Sequence, residues 1–282
     1  MIILAIANQK GGVGKTTLSV NFAAELALRG FDTLLIDADP QANASVSLLP
    51  DGIIETSLID VLVGPPKAAP LSLTNAIYNT ELVGLDILPA TLSLARFEKE
   101  QPHAIQRLKS KIRQSNIDYD FIMIDLPPSL GFLFSAALIA ATHMLVPVSA
   151  QFLPLEGVRD LISTYEEMRE SNESLDWLGI VVTIFDVRNN ICSATYAKIR
   201  ESFPTRTFDT IIHENVKLAE APAFHRPIQL YAPNSRGAQD HSSLADEVLT
   251  KLRMRTTKPR LRVVEEAGAE QQAVDNSSGS EP

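Results

Sequence analysis

The chain contains one cysteine, Cys192, in 282 residues. A lone thiol excludes an internal disulfide and any cysteine-built metal centre within one chain, and it fits a reducing compartment. Aromatic residues are scarce, at 6% with a single tryptophan. No basic run carries the interleaved aromatics that stack single-stranded bases. No apolar run reaches the roughly 20 residues needed to span a bilayer. The opening "MIILAIANQK" has no basic segment ahead of its apolar stretch, so no signal peptide is expected. No internal repeat is evident.

The apolar share of 45% is ordinary for a protein with a sizeable core. A net charge of −9 argues against nucleic acid as a chain average, but the average hides a pattern. Residues 251–262 carry Lys251, Arg253, Arg255, Lys258, Arg260 and Arg262, giving +6 with no acid. Residues 263–282 carry Glu265, Glu266, Glu270, Asp275 and Glu281, giving −5. This polar end has little to bury, so one folded unit is expected over 1–255 and a disordered tail, basic then acidic, over 256–282.

Apolar runs alternate with amphipathic stretches along the rest of the chain. "IILAIAN", "DTLLID", "LDILPA", "FIMIDLPP", "HMLVPVS", "WLGIVVTIF" and "TFDTIIH" predict strands. "TTLSVNFAAELALRG" predicts a helix with Leu18, Phe22 and Leu26 on one face and Gly30 as its stop. Further helices are expected near 93–115, 129–141, 155–171, 190–203 and 237–255. Near-continuous Val/Ile/Leu strands suit a mostly parallel sheet covered on both faces. The βαβα order predicts a doubly wound α/β domain, with ligands at the carboxyl ends of strands.

The loop "NQKGGVGKTT" follows the first predicted strand and opens the first helix. Glycines let backbone N–H groups approach phosphate oxygens, and the helix amino terminus adds partial positive charge. Gly11, Gly12, Val13, Gly14 and Thr17 would form the cradle. Lys15 would neutralise β- and γ-phosphate charge, and Thr16 would ligate Mg²⁺. The strict pattern GxxxxGK[ST] wants its first glycine where this chain has Gln9. Asp125 ends "FIMID" and suits Mg²⁺ held through water. In "DADPQ", Asp39 would orient or deprotonate an attacking water, and Asp37, nearer the strand end, would support Mg²⁺.

"KGGVGKTT", "DADPQANAS", "MIDLPPSLG" and "SRGA", in this order, resemble the ParA/Soj partition ATPases, the deviant Walker A branch of P-loop NTPases. The likeness runs from about residue 1 to 255 and implies an ATPase domain, weakly active until stimulated. It implies that Lys10 reaches across an ATP-dependent homodimer to the nucleotide of the other subunit. It also implies ATP and Mg²⁺ as ligands, non-specific double-stranded DNA and a ParB-like centromere-binding protein as partners, and a cytoplasmic, nucleoid-associated location. Asn215 falls where the family holds adenine, while Arg188 and Lys217 match its DNA-contacting positions. Relatives read "PRNVRL" where this chain reads "HENVKL", so Glu214 replaces a basic residue. Arg226, Arg236 and the 251–262 cluster are the compensating cations. MinD-type relatives end in an amphipathic membrane helix. Here the basic end is poor in large apolar residues and holds Pro259, so no stable membrane anchor is expected. The alternative is a MinD/ParA-like ATPase positioning a protein cargo or a membrane pattern.

Overall fold

The computed structural model describes residues 1–95, 97, 105–151 and 155–255. The tail expected over 256–282 lies outside the described residues, as does part of the helix expected near 93–115. Seven strands form where the apolar runs predicted them: β1 (Ile2–Ile6), β2 (Thr33–Asp37), β4 (Leu85–Leu88), β5 (Phe121–Asp125), β6 (His143–Ser149), β7 (Asp176–Phe185) and β8 (Thr207–His213). A two-residue strand, β3 (Tyr78–Asn79), was not expected; it is too short and too polar to leave a pattern.

The strands form one sheet in the order β3-β4-β2-β5-β1-β6-β7-β8. All neighbours run parallel except β3 and β4. The doubly wound α/β class is therefore the one the apolar pattern predicted. β1 lies between β5 and β6, so the chain leaves it toward one edge and later returns to fill the other. Ligands bind at such a switch point, outside the carboxyl ends of the strands. Here those ends are the loops after β1, β2 and β5.

The long helices are α1 (Lys15–Leu28), α4 (Arg107–Gln114), α5 (Phe132–Ala140), α6 (Leu155–Ser171), α7 (Asn190–Ser202) and α10 (Arg236–Lys251). Short turns of helix add α2 (Asn43–Leu48), α3 (Leu58–Leu62), α8 (Val216–Glu220) and α9 (Ile228–Tyr231). These have four to six residues, too few for a 3.6-residue period to show. β1 alternates cleanly: Ile3 and Ala5 face one apolar core, Leu4 and Ile6 the other. Leu18, Phe22 and Leu26 of α1 and Leu244 and Val248 of α10 close the second core. Each such fully buried side chain contributes about 1.5–3 kcal/mol. Gly30 ends α1 as predicted, in a left-handed turn (φ 91°) whose N–H bonds Ala27 O while Phe31 N–H bonds Leu26 O.

Gly179 marks where β7 meets its neighbours most tightly. A Cβ there would sit 2.5 Å from the Arg206 carbonyl oxygen and 2.6 Å from the Phe208 ring. Gly179→Ala is therefore expected to lower the urea midpoint by the equivalent of about 2 kcal/mol, with an unchanged slope.

Candidate active site

The loop between β1 and α1 is fixed from three sides. Asn8, buried, donates through Nδ2 to Pro147 O (2.7 Å) and accepts the Lys10 N–H at Oδ1 (2.9 Å). Thr183 of β7 donates its hydroxyl to Val13 O (2.8 Å). Lys15 Nζ donates back to Lys10 O (3.0 Å). Gly12 (φ 69°) and Gly14 (φ 81°) take left-handed conformations that suit glycine. Gly14 is also the N-cap of α1, so no side chain caps the helix, and its first turn holds no acid. The leading N–H groups are left for an anion.

A cavity of about 400 Å³ opens against this loop. Its walls include Gly12, Lys15, Thr16, Asp39, Asn43 and Ile184. Lys15 is buried, and burial lowers its pKa against the opposing pull of Asp125 and Asp39. That is a cation waiting for more negative charge than the protein supplies.

The carboxylates sit in layers behind it. Parallel pairing sets Asp37 of β2 directly beside Asp125 of β5, and both are fully buried. Asp125 accepts the Thr16 hydroxyl (2.7 Å) and the Ser19 hydroxyl (2.8 Å). Burial pushes its pKa up to about 6, the two hydroxyls pull it down, and Asp39 raises it. Asp37 accepts the Asp39 N–H (3.1 Å) and both the N–H (2.8 Å) and hydroxyl (2.7 Å) of Ser45. Burial, then Asp125, push its pKa up to about 7. Asp37 thus holds the turn into α2, and only Asp39 of the two reaches the cavity wall. A threonine hydroxyl backed by two buried, under-compensated carboxylates is oxygen-rich and short of positive charge, so it fits a hard divalent cation.

A second cavity, about 160 Å³, shares Gly14, Thr17 and Ile184 with the first and reaches Asn215. Asn215 caps α8, accepting the Lys217 N–H at 2.9 Å. Ile184 stands between the two cavities with φ 51°, an outlier for a β-branched residue. Asn8, Ser19, Thr183 and Ile184 carry no motif of their own. They are common residue types that matter only through their contacts.

The exposed cations are dispersed. Arg188 and Arg236 line one cavity beyond β7 and β8, Lys217 lies on α8, and Arg226 lies against Glu81, lining a cavity with Thr16, Thr17 and Leu218. Each is already paired: Arg188 with Asp186 (3.0 Å), Lys217 with Glu220 (2.8 Å), Arg226 with Glu81 (2.7 Å) and Arg236 with Asp240 (3.0 Å). Lys10 is exposed.

A strand, a glycine loop with left-handed turns, an uncapped helix and a buried lysine before paired carboxylates define a P-loop nucleotide-binding protein. A family model described as "AAA domain" matches residues 1–177. Chromosome partitioning protein ParA of Caulobacter vibrioides is 40% identical over 266 residues, covering 91% of this chain and 97% of its own. Sporulation initiation inhibitor protein Soj of Bacillus subtilis is 39% identical over 251 residues, covering 87% and 97%. Among solved structures, cobyrinic acid a,c-diamide synthase from Mycobacterium smegmatis with bound ADP and magnesium superposes with a TM-score of 0.76 at 28% identity, covering 92% and 100%. The cell division ATPase MinD of Pyrococcus furiosus gives 0.73 at 25%, covering 88% and 98%. The chain belongs to the ParA/Soj family of P-loop partition ATPases.

The raised pair gives a pH signature. The folded state keeps protons on Asp37 and Asp125 that the unfolded chain releases above about pH 4. Their stabilising contribution is complete below that pH and is lost as pH rises through 6 and 7. Nucleotide-free Asp37→Asn should therefore gain stability relative to the parent between pH 5 and pH 8 in urea unfolding. A constant difference would contradict the assignment.

Proposed function

We propose that the protein is an ATP-dependent dimerising ATPase that binds DNA without sequence preference and drives segregation of a DNA cargo with a ParB-like partner. The folded unit over 1–255 is the ATPase. Weak intrinsic turnover is stimulated by partner and DNA, and the location is the cytoplasm, on the nucleoid. The observation that carries the reading is the division of labour between two lysines of one loop. Lys15 is buried at the cavity and points its ammonium at Lys10 O. Lys10 has both backbone groups tied down and its side chain exposed. A tethered, exposed cation beside a phosphate cradle is placed for a nucleotide that is not its own.

The phosphates of ATP would lie on the N–H groups of Gly11, Gly12, Val13, Gly14, Lys15, Thr16 and Thr17, with the base toward Asn215. A solved structure of this fold holding ADP and magnesium supports both ligands. Thr16 and Asp125 would hold Mg²⁺, with Asp37 supporting them, and the ion when bound would neutralise phosphoryl charge. Lys15 would give up its bond to Lys10 O and donate to phosphate oxygens instead. Asp39, on the cavity wall, would orient the attacking water and accept its proton. Lys10 of the partner subunit would stabilise charge on the transferring group, as an arginine finger does. ATP then becomes part of the dimer interface, and its hydrolysis loosens the dimer.

DNA contact falls to Arg188, Lys217, Arg226 and Arg236. Arg188, Lys217 and Arg226 sit in exposed or partly exposed ion pairs worth at most about 1 kcal/mol, so each can exchange its carboxylate for a backbone phosphate at little cost, whereas the Asp240 partner of Arg236 is buried and also holds His213. Such binding weakens steeply with salt.

Two variants separate the roles. Lys10→Ala should keep ATP affinity within about threefold in equilibrium binding, while steady-state turnover falls at least about tenfold and ATP-dependent dimerisation is lost. Asp39→Ala should keep ATP binding and the dimer on DNA while single-turnover hydrolysis drops about a hundredfold or more. Normal turnover in either variant removes that residue from the mechanism. Failure of ATP to increase retention on duplex DNA would favour a protein cargo instead.

A further inference from the structure

The cations at the far end of the sheet differ from those above. β8 runs about 20 Å from Thr207 to His213, and α10 returns along it from Arg236, beside His213, to Lys251, over the Phe208 ring. This end is opposite the nucleotide cavity. Lys251 Nζ lies 4.9 Å from the Phe208 ring centroid. Arg206 lies over the Trp177 ring at 5.7 Å, with Asp176 at 3.6 Å. Burial and then the Arg206 charge lower the Lys251 pKa, while Glu247 and Asp176 raise it.

The helix end presents two more. Arg253 N–H bonds Thr250 O (3.1 Å) and Met254 N–H bonds Leu249 O (2.9 Å), closing a Schellman turn. Arg253 occupies its left-handed position (φ 56°), where glycine is the usual residue. Met254 packs on the core, which fixes the turn. Arg253 and Arg255 are exposed, and neither forms an ion pair among the described residues. Arg188, Lys217, Arg226 and Arg236 all do. The sequence continues with Lys258, Arg260 and Arg262 before the first acid, Glu265.

We infer that Arg206, Lys251, Arg253 and Arg255 form a second contact for the duplex DNA backbone, at the end of the sheet opposite the nucleotide and independent of it. The inference rests on the DNA-binding reading above. A phosphate backbone fits because the patch offers exposed positive charge on a fixed turn, with Arg253 and Arg255 unpaired among the described residues. A lipid surface fits less well, since Leu252 and Met254 are turned into the protein and packed on its core. Two DNA contacts at opposite ends of one subunit would let it keep hold of DNA while ATP is being exchanged.

The test is a salt titration of duplex DNA binding by the full chain, without nucleotide and with ATP. The parent should bind weakly without nucleotide. Arg253→Ala/Arg255→Ala should reduce the log–log salt slope by about 2 in both states, with ATP turnover in the absence of DNA unchanged as a control for folding. An unchanged slope in the variant, while ATP still raises binding, overturns this inference and leaves the proposed function intact. Absence of ATP-dependent DNA binding in the parent sinks the proposed function instead. Equal loss of binding to phosphatidylglycerol vesicles, with DNA binding untouched, assigns the patch to lipid and also overturns it.

Discussion

The structure depends on placing like charges side by side. Parallel registry of β2 and β5 sets Asp37 against Asp125 in an interior where neither is exposed. Burial pushes the pKa of both groups up, and the charge of Asp125 raises that of Asp37 further. The surrounding polar groups answer this constraint. Thr16 and Ser19 donate to one carboxylate; Ser45 and the Asp39 backbone donate to the other. Those bonds fix the first turn of α1 and the turn into α2, which bound the phosphate cavity on two sides. The site is held in shape by hydrogen bonds to two buried carboxyl groups.

The glycine loop converts that shape into a switch. Its conformation is fixed by Asn8, Thr183 and Lys15, so the exposed Lys10 side chain leaves a rigid base. A flexible lysine would lose rotamer entropy on reaching a neighbour's nucleotide; a tethered backbone removes part of that cost. Lys15 and Lys10 share one carbonyl, since Lys15 Nζ bonds Lys10 O. In the proposed cycle, Lys15 would release Lys10 O when it turns to phosphate, which would couple nucleotide occupancy to the geometry of Lys10 through one hydrogen bond.

Much of this was legible in the sequence, and the parts that were not share a cause. Seven strands and the principal helices follow from runs long enough to show a period. β3, α2, α3, α8 and α9 are too short to show one. The glycines and Lys15 announce themselves because their chemistry needs fixed spacing within one loop. Thr183 does not, because it acts across 170 residues of chain. Asp37 and Asp39 were both visible as acids near a strand end. Their different surroundings, one buried behind Ser45 and one on the cavity wall, appear only once the strand has a register. The pairing of Arg226 was equally invisible, since Glu81 stands 145 residues away, whereas the partners of Arg188, Lys217 and Arg236 lie within four residues of them.

The central claim is that Lys10 serves the other subunit's nucleotide. Mixing Lys10→Ala chains with Asp39→Ala chains tests it directly, because each variant alone is expected to be inactive for a different reason. In a mixed dimer, the site on the Lys10→Ala chain keeps its own Asp39 and receives Lys10 from its neighbour. Action in trans predicts that ATP turnover of the mixture rises well above the sum of the two proteins measured separately. Turnover no greater than that sum, with mixed dimers shown to form, would mean that Lys10 acts within its own subunit and would contradict the account.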